Sequence, residues 1–128
     1  MAARKKSRRD HGNPLRELRK SIGLSQLELG EELGWARTTI LTAEKSDPKP
    51  SLMLSTSGLG CLRICGERVV QLTGAQLTAR RVQLGLSQKG LAEALGYAES
   101  SIQTWERQGP PLWVHPALVA LAVSIVAR

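Results

Sequence analysis

The 128 residues suffice for one ordinary domain or two very small ones, and 41% hydrophobic residues can supply a core. With no Phe and a single Tyr against many Leu, Ala and Gly, an aromatic-rich β-sandwich is disfavoured and small helices packed with aliphatic side chains are expected. The net charge of +7 is uneven, because Arg4, Lys5, Lys6, Arg8 and Arg9 give residues 1–12 a charge of +4 after Asp10 is counted. Such a basic arm is either a solvated tail or a segment that seeks phosphate.

After the arm, Asn13 and Pro14 signal a helix start: an Asx side chain to cap, then a proline whose fixed φ suits the first helical position. The first helix is expected to run to about Ile22, with Leu15, Leu18 and Ile22 on its buried face and Gly23 as its left-handed exit. Ser25 and Glu28 form a capping box for a second helix through about Leu33, which Gly34 ends. Trp35 and Ala36 lead into a third helix from Arg37 to about Lys45. Two short helices joined by a tight glycine turn make a helix-turn-helix, whose second helix can enter the DNA major groove.

This stretch occurs twice. Gly23–Glu44, GLSQLELGEELGWARTTILTAE, lies over Gly85–Glu106, GLSQKGLAEALGYAESSIQTWE, after a shift of 62 residues, with 15 identities in the 34 positions from Leu15 to Pro48 and no gap. Gly30, opposite Ala92, falls where the helices cross, while Ile40 and Ile102 fall beneath the third helix of each copy.

Between the copies, Ser51 to about Leu59 is expected to form a fourth helix, a poor one because of its Ser and Thr. CLRICGERVVQL then carries β-branched residues on both sides of Gly66 and Glu67, which suits a short β-hairpin or an extended linker. A hairpin of this kind could pair with its copy in another chain. Thr73 and Gln76 form a second capping box, opening a helix from about Gly74 to Leu84. Ser87 caps the next, to about Leu95, and Glu99 to about Arg107 is a second recognition-type helix. Leu112, Trp113 and Val114 make an apolar elbow before Pro116 opens a last helix that is apolar on every side, either core or a self-association surface.

The combination of the GLSQ entry, the small residue after Leu29 and Leu91, the Leu-Gly turn, Ile40 and Ile102, and Glu44 and Glu106 resembles the Cro-like, xenobiotic-response-element class of helix-turn-helix regulators, the fold of lambdoid phage repressors. The resemblance covers about 15–54 and 77–121. It implies an all-α fold of two tandem units: a basic arm at 1–12, a first unit at 13–58, a linker or short hairpin at 59–72, and a second unit at 73–128 that ends in the apolar helix. Two departures are visible. Ala36 and Ala98 stand where the family often has a capping Ser or Thr, and Ala43 stands where the second copy has Trp105.

From the same resemblance, Gln26 and Gln88 contact backbone phosphate, and Arg19 with Glu44 and Arg81 with Glu106 form structural ion pairs. The base-facing positions are Arg37, Thr38, Thr39 and Thr42 in the first unit and Glu99, Ser100, Ser101 and Thr104 in the second. The Arg37 guanidinium can bridge the two acceptors of guanine, a contact worth roughly 1–3 kcal/mol of discrimination. A carboxylate such as Glu99 is costly near phosphate unless it accepts from a cytosine amino group. The second unit therefore either reads its own half-site, making the chain a covalent pseudo-dimer, or serves as a dimerisation or partner-binding module using Trp113 and the last helix.

The implied function is a sequence-specific double-stranded DNA-binding transcriptional regulator, most simply a repressor of bacterial, phage or mobile-element genes, acting as a homodimer. The alternative is a protein-interaction module, an antitoxin or anti-activator that keeps the fold. An enzyme is not expected, since there is no phosphate-cradling glycine loop, and His11 and His115 have no evident nucleophile beside them. Cys61 and Cys65 lack the spacing of a zinc site, so neither metal nor cofactor is expected, and they suit a reducing cytoplasm. The basic start leads into DHGNPLREL rather than an apolar signal core, and the apolar run from Pro116 to Ala127 is shorter than the ~20 residues of a membrane span.

Overall fold

The computed structural model describes residues 13–126. In chain order these form α1 (Pro14–Ile22), α2 (Gln26–Leu33), α3 (Arg37–Ala43), α4 (Pro50–Ile64), α5 (Gly74–Gln83), α6 (Gln88–Leu95), α7 (Glu99–Gln108) and α8 (Val114–Val126), with no strand among the described residues. The caps follow from local chemistry. The Asn13 side chain accepts from the Arg16 amide at 2.9 Å, and Ser25 and Thr73 each close a reciprocal capping box, with Glu28 and Gln76 respectively. Ala36 and Ala98 precede α3 and α7 without a side-chain cap.

Helices recur at the 62-residue offset. The bounds of α2 carry directly onto α6, and α3 and α7 open at the equivalent residues Arg37 and Glu99. The core repeats with them: Leu15, Leu29, Leu33 and Ile40 and their counterparts Leu77, Leu91, Leu95 and Ile102 are all fully buried. At Gly30 an added Cβ would lie 2.5 Å from the Trp35 carbonyl oxygen, so the α2–α3 turn closes over a backbone that only glycine presents.

The fourth helix is longer than its composition suggests, and it continues through Cys61–Ile64, where a hairpin or linker was expected. Tertiary packing accounts for this. Leu52, Ser55, Leu59 and Leu62 recur at three- and four-residue spacing on one buried face of α4, and this helix packs along α8 in the most extensive helix–helix contact among the described residues. The small residues that weaken α4 as an isolated helix let α8 approach. An added Cβ on Gly58 would sit 1.6 Å from the Pro116 carbonyl oxygen, a separation no side chain permits. Helix α8 itself starts at Val114, two residues before Pro116, and buries Val114 to Leu118 and Ala120. The first half of this apolar helix is thus core within the chain, while Val123, Ile125 and Val126 near its end are exposed.

The hairpin does not form because the segment's polar groups find other partners. The left-handed Gly66 (φ 73°) ends α4, the Val70 amide donates to His115 Nδ1 at 3.1 Å, and the Gln71 side-chain amide donates to the Pro110 carbonyl. The Val70 backbone is thereby tied to the start of α8 instead of to a partner strand.

The two halves meet through mirrored contacts. Gly34 faces Leu112, and Gly96 faces Pro50. Adding 62 to Gly34 and Pro50 gives Gly96 and Leu112, so each contact is the image of the other with the halves exchanged. That reciprocity is the mark of an approximate two-fold relation, in which residue i touches j and j's counterpart touches i's. Aromatic rings gather at the junction: Trp35 stacks on Trp113 at 5.2 Å, and Tyr97, the counterpart of Trp35, lies 5.5 Å from the same indole.

Candidate nucleic-acid interface

The scaffold beneath α3 is fixed by one buried carboxylate. Glu44, at the end of α3, takes Arg19 Nε at 2.5 Å and Arg19 Nη2 at 3.0 Å in a two-pronged pair, and Arg16 Nε lies 3.5 Å away. Arg19 also donates to the Leu24 carbonyl at 2.9 Å, tying α1, the α1–α2 turn and α3 together. Burial alone would raise the Glu44 pKa, but donation from Arg19, Gln26 and Arg16 outweighs it, and the carboxyl titrates below its ordinary value. The second half repeats the device with Arg81 and Glu106 (2.6 Å), and Glu106 is likewise lowered, its burial offset by Arg81, Gln88 and Thr78.

Both ion pairs expected from sequence are therefore present. Gln26 Nε2 donates to Glu44 Oε1 at 3.2 Å and Gln88 Nε2 to Glu106 Oε1 at 3.0 Å, a scaffold contact beside the phosphate role that the resemblance implies. Each glutamine stands at the first position of its helix, half-buried against the scaffold.

With Ile40 and Ala43 buried, α3 leaves Arg37, Thr38 and Thr42 exposed, and Thr39 is half-covered. On α7, Ile102 is buried, Glu99 and Ser100 are exposed, and Ser101 and Thr104 are half-covered, with the Thr104 hydroxyl donating to the Ser100 carbonyl at 3.0 Å. The structure thus brings the two predicted sets onto equivalent outward faces of equivalent helices. Arg4, Lys5, Lys6, Arg8 and Arg9 lie outside the described residues.

Several supporting residues were not singled out from sequence. Asn13 does more than cap α1, since its Nδ2 donates to the carbonyls of Ala43 (3.2 Å) and Ser46 (3.0 Å) and so anchors the end of α3. Trp113, a partner surface under one of the two readings of the second unit, is 3% exposed and covered by Trp35, Tyr97 and Trp105. His115 is buried and accepts the Val70 amide. Burial and the Arg80 charge push its pKa below the usual value, against the opposing pull of Glu67. Cys61 is half-buried, Cys65 is exposed, and both are free thiols. No group of three or more His, Cys, Asp or Glu among the described residues could hold a metal ion, and no described helix is long and apolar enough to cross a membrane.

Two short helices at a glycine turn, the second held by a buried ion pair with its first turn outward, define a helix-turn-helix protein. Known proteins agree. The chain is 43% identical over 53 residues to the uncharacterized HTH-type transcriptional regulator YgzD of Bacillus subtilis, a match covering 41% of this chain and 71% of that protein. It is 49% identical over 41 residues to an uncharacterized HTH-type transcriptional regulator of Methanothermobacter thermautotrophicus, covering 32% of this chain and 59% of the relative. No family model and no solved structure matches. The chain belongs to the family of HTH-type transcriptional regulators.

Proposed function

We propose that this chain is a sequence-specific regulator that binds double-stranded DNA as a single-chain pseudo-dimer and represses bacterial, phage or mobile-element genes by occupying their control sites. The observation that carries this reading is the outward row Arg37, Thr38 and Thr42 on a helix locked from below by Arg19, Gln26 and Glu44. Membership of a transcriptional-regulator family supports it.

In this mechanism α2 crosses the phosphates with its N-terminal N–H groups and positive dipole end, and α3 lies in the major groove. Arg37 bridges O6 and N7 of a guanine, and the threonine methyls meet thymine. Helix α7 enters a second stretch of groove, where Glu99 accepts from a cytosine amino group. Since α3 and α7 present different chemistry, the preferred site has two dissimilar halves. The packing of α4 on α8 holds the two readers together, raising the effective concentration of the second without further contacts. The pairing that a homodimer would supply is thereby supplied within one chain.

Selection of bound duplexes from a random pool at low ionic strength tests the proposal. The expected result is one enriched sequence, whose preference at one base pair is relaxed by Arg37→Ala. Failure to retain any duplex, together with capture of a protein partner unaffected by Arg37→Ala, would replace this reading with an antitoxin or anti-activator role.

A further inference from the structure

The two halves differ most where the aromatic cluster fills one side of the junction and leaves the other open. On the second side, Trp105 lies against Tyr97 at 5.2 Å and edge-on to Trp113 at 5.6 Å. The counterparts of Trp105, Tyr97 and Trp113 are Ala43, Trp35 and Ser51, so the first side lacks two indoles. The mirror image of the Trp105–Tyr97 contact would place a ring beside Ala43 and against Trp35. In that place the structure has a half-open cleft of about 360 Å³, lined by Trp35, Leu52 and Tyr97, by Thr39 and Thr42 of α3, and by the charged Asp47 and Lys49.

We infer that this cleft is a binding site for an uncharged, planar aromatic molecule of two or three fused rings that carries a hydrogen-bond acceptor for the hydroxyls of Thr39 and Thr42. Size, shape and polarity agree. Ligand pockets begin at roughly 300 Å³ and an apolar cavity of about 150 Å³ takes up benzene, so the space holds more than one ring. Two aromatic walls favour a flat occupant, at the position where the other half seats its own indole. The threonine hydroxyls, with Asp47 and Lys49, supply the few polar groups that orient it. Thr39 and Thr42 belong both to this wall and to the face proposed for DNA, so an occupant acts as an effector of duplex binding. That consequence rests on the DNA reading, whereas the site itself does not.

The test uses the full chain without DNA. Quinoline, neutral at physiological pH and bearing one ring-nitrogen acceptor, is titrated while the indole N–H resonances of Trp35, Trp105 and Trp113 are followed by NMR. The expected result is a saturable shift largest at Trp35, with nuclear Overhauser contacts from quinoline to the Thr39 and Thr42 methyls. Naphthalene, of the same shape without the acceptor, binds more weakly, and Ala43→Trp abolishes the shift by filling the space. Ala43→Leu, a smaller intrusion, reports the same loss if the tryptophan variant does not fold, and the contacts in the unaltered chain stand independently of either. The inference is overturned by the absence of a saturable shift, by equal movement of all three indoles, by naphthalene binding as tightly as quinoline, or by undiminished binding in a folded Ala43 variant.

Discussion

Replacing Gly58 by alanine should destabilise the protein, whereas the same replacement two residues later should not. The added Cβ at Gly58 would stand 1.6 Å from the Pro116 carbonyl oxygen, and ordinary contact begins at 3.4 Å, so α4 and α8 must separate by about 1.8 Å. The obstacle is backbone and cannot swing aside. Overpacking of this kind costs about 1–3 kcal/mol or more, and the better helix propensity of alanine returns at most ~1 kcal/mol, leaving a net loss of about 2 kcal/mol. At ~4 °C per kcal/mol for a chain of this size, the melting temperature falls by about 8 °C. At Gly60 the added Cβ would meet only the Ile22 side-chain tip, at 3.3 Å, which can rotate away. Gly60→Ala should therefore be neutral or stabilising by up to ~1 kcal/mol. Thermal unfolding followed by far-ultraviolet circular dichroism reads both. Equal melting temperatures for the two variants would refute the close α4–α8 packing on which the junction depends.

Glu44→Gln leaves the buried Arg19 without its charged partner and should cost about 2 kcal/mol at pH 7, since hydrogen bonds to charged groups are worth ~1.5–3 kcal/mol each. The folded Glu44 pKa is depressed, so its contribution is fully present above the unfolded value near 4.5 and is lost as pH falls through the folded value; urea unfolding should show the variant and the parent converging only in acid. His115 is also depressed but is a base. The unfolded chain binds its proton first, so stability should decline as pH drops below about 6.5, and in His115→Asn, which keeps an acceptor for the Val70 amide, that slope should disappear from pH-dependent melting curves. Arg37→Ala should cost roughly 1–3 kcal/mol on the preferred duplex and little on unrelated ones, whereas deletion of residues 1–9 should weaken all duplexes alike and flatten the salt dependence, both read by fluorescence anisotropy.

Much of the fold was legible because its signals are local. Asn13 before Pro14, the Ser25–Glu28 and Thr73–Gln76 boxes, and glycines after α2 and α6 set helix limits that depend on nearby atoms alone. The extent of α4 was not legible, because Gly58, Ser55 and Thr56 read as helix-weakening until a second helix lies against them. Val69 and Val70 suit a hairpin or an extended linker for the same reason, the Val70 amide finding its partner in His115, far along the chain. The ion pairs at Glu44 and Glu106 followed from the family resemblance, but the glutamine donors and the Asn13 anchor required three-dimensional proximity to be seen. The missing Trp at Ala43 was visible in the alignment of the copies. That it leaves a half-open cleft beside Trp35 was not, since the cleft also needs Tyr97 from the other half.

In the proposed function one chain presents two unlike readers, α3 and α7, to one duplex. Native mass measurement of the complex with its selected duplex counts the chains. One chain per duplex is expected, on a site whose dissimilar halves lie about one helical turn, ~34 Å, apart. Two chains on a symmetric site would contradict it.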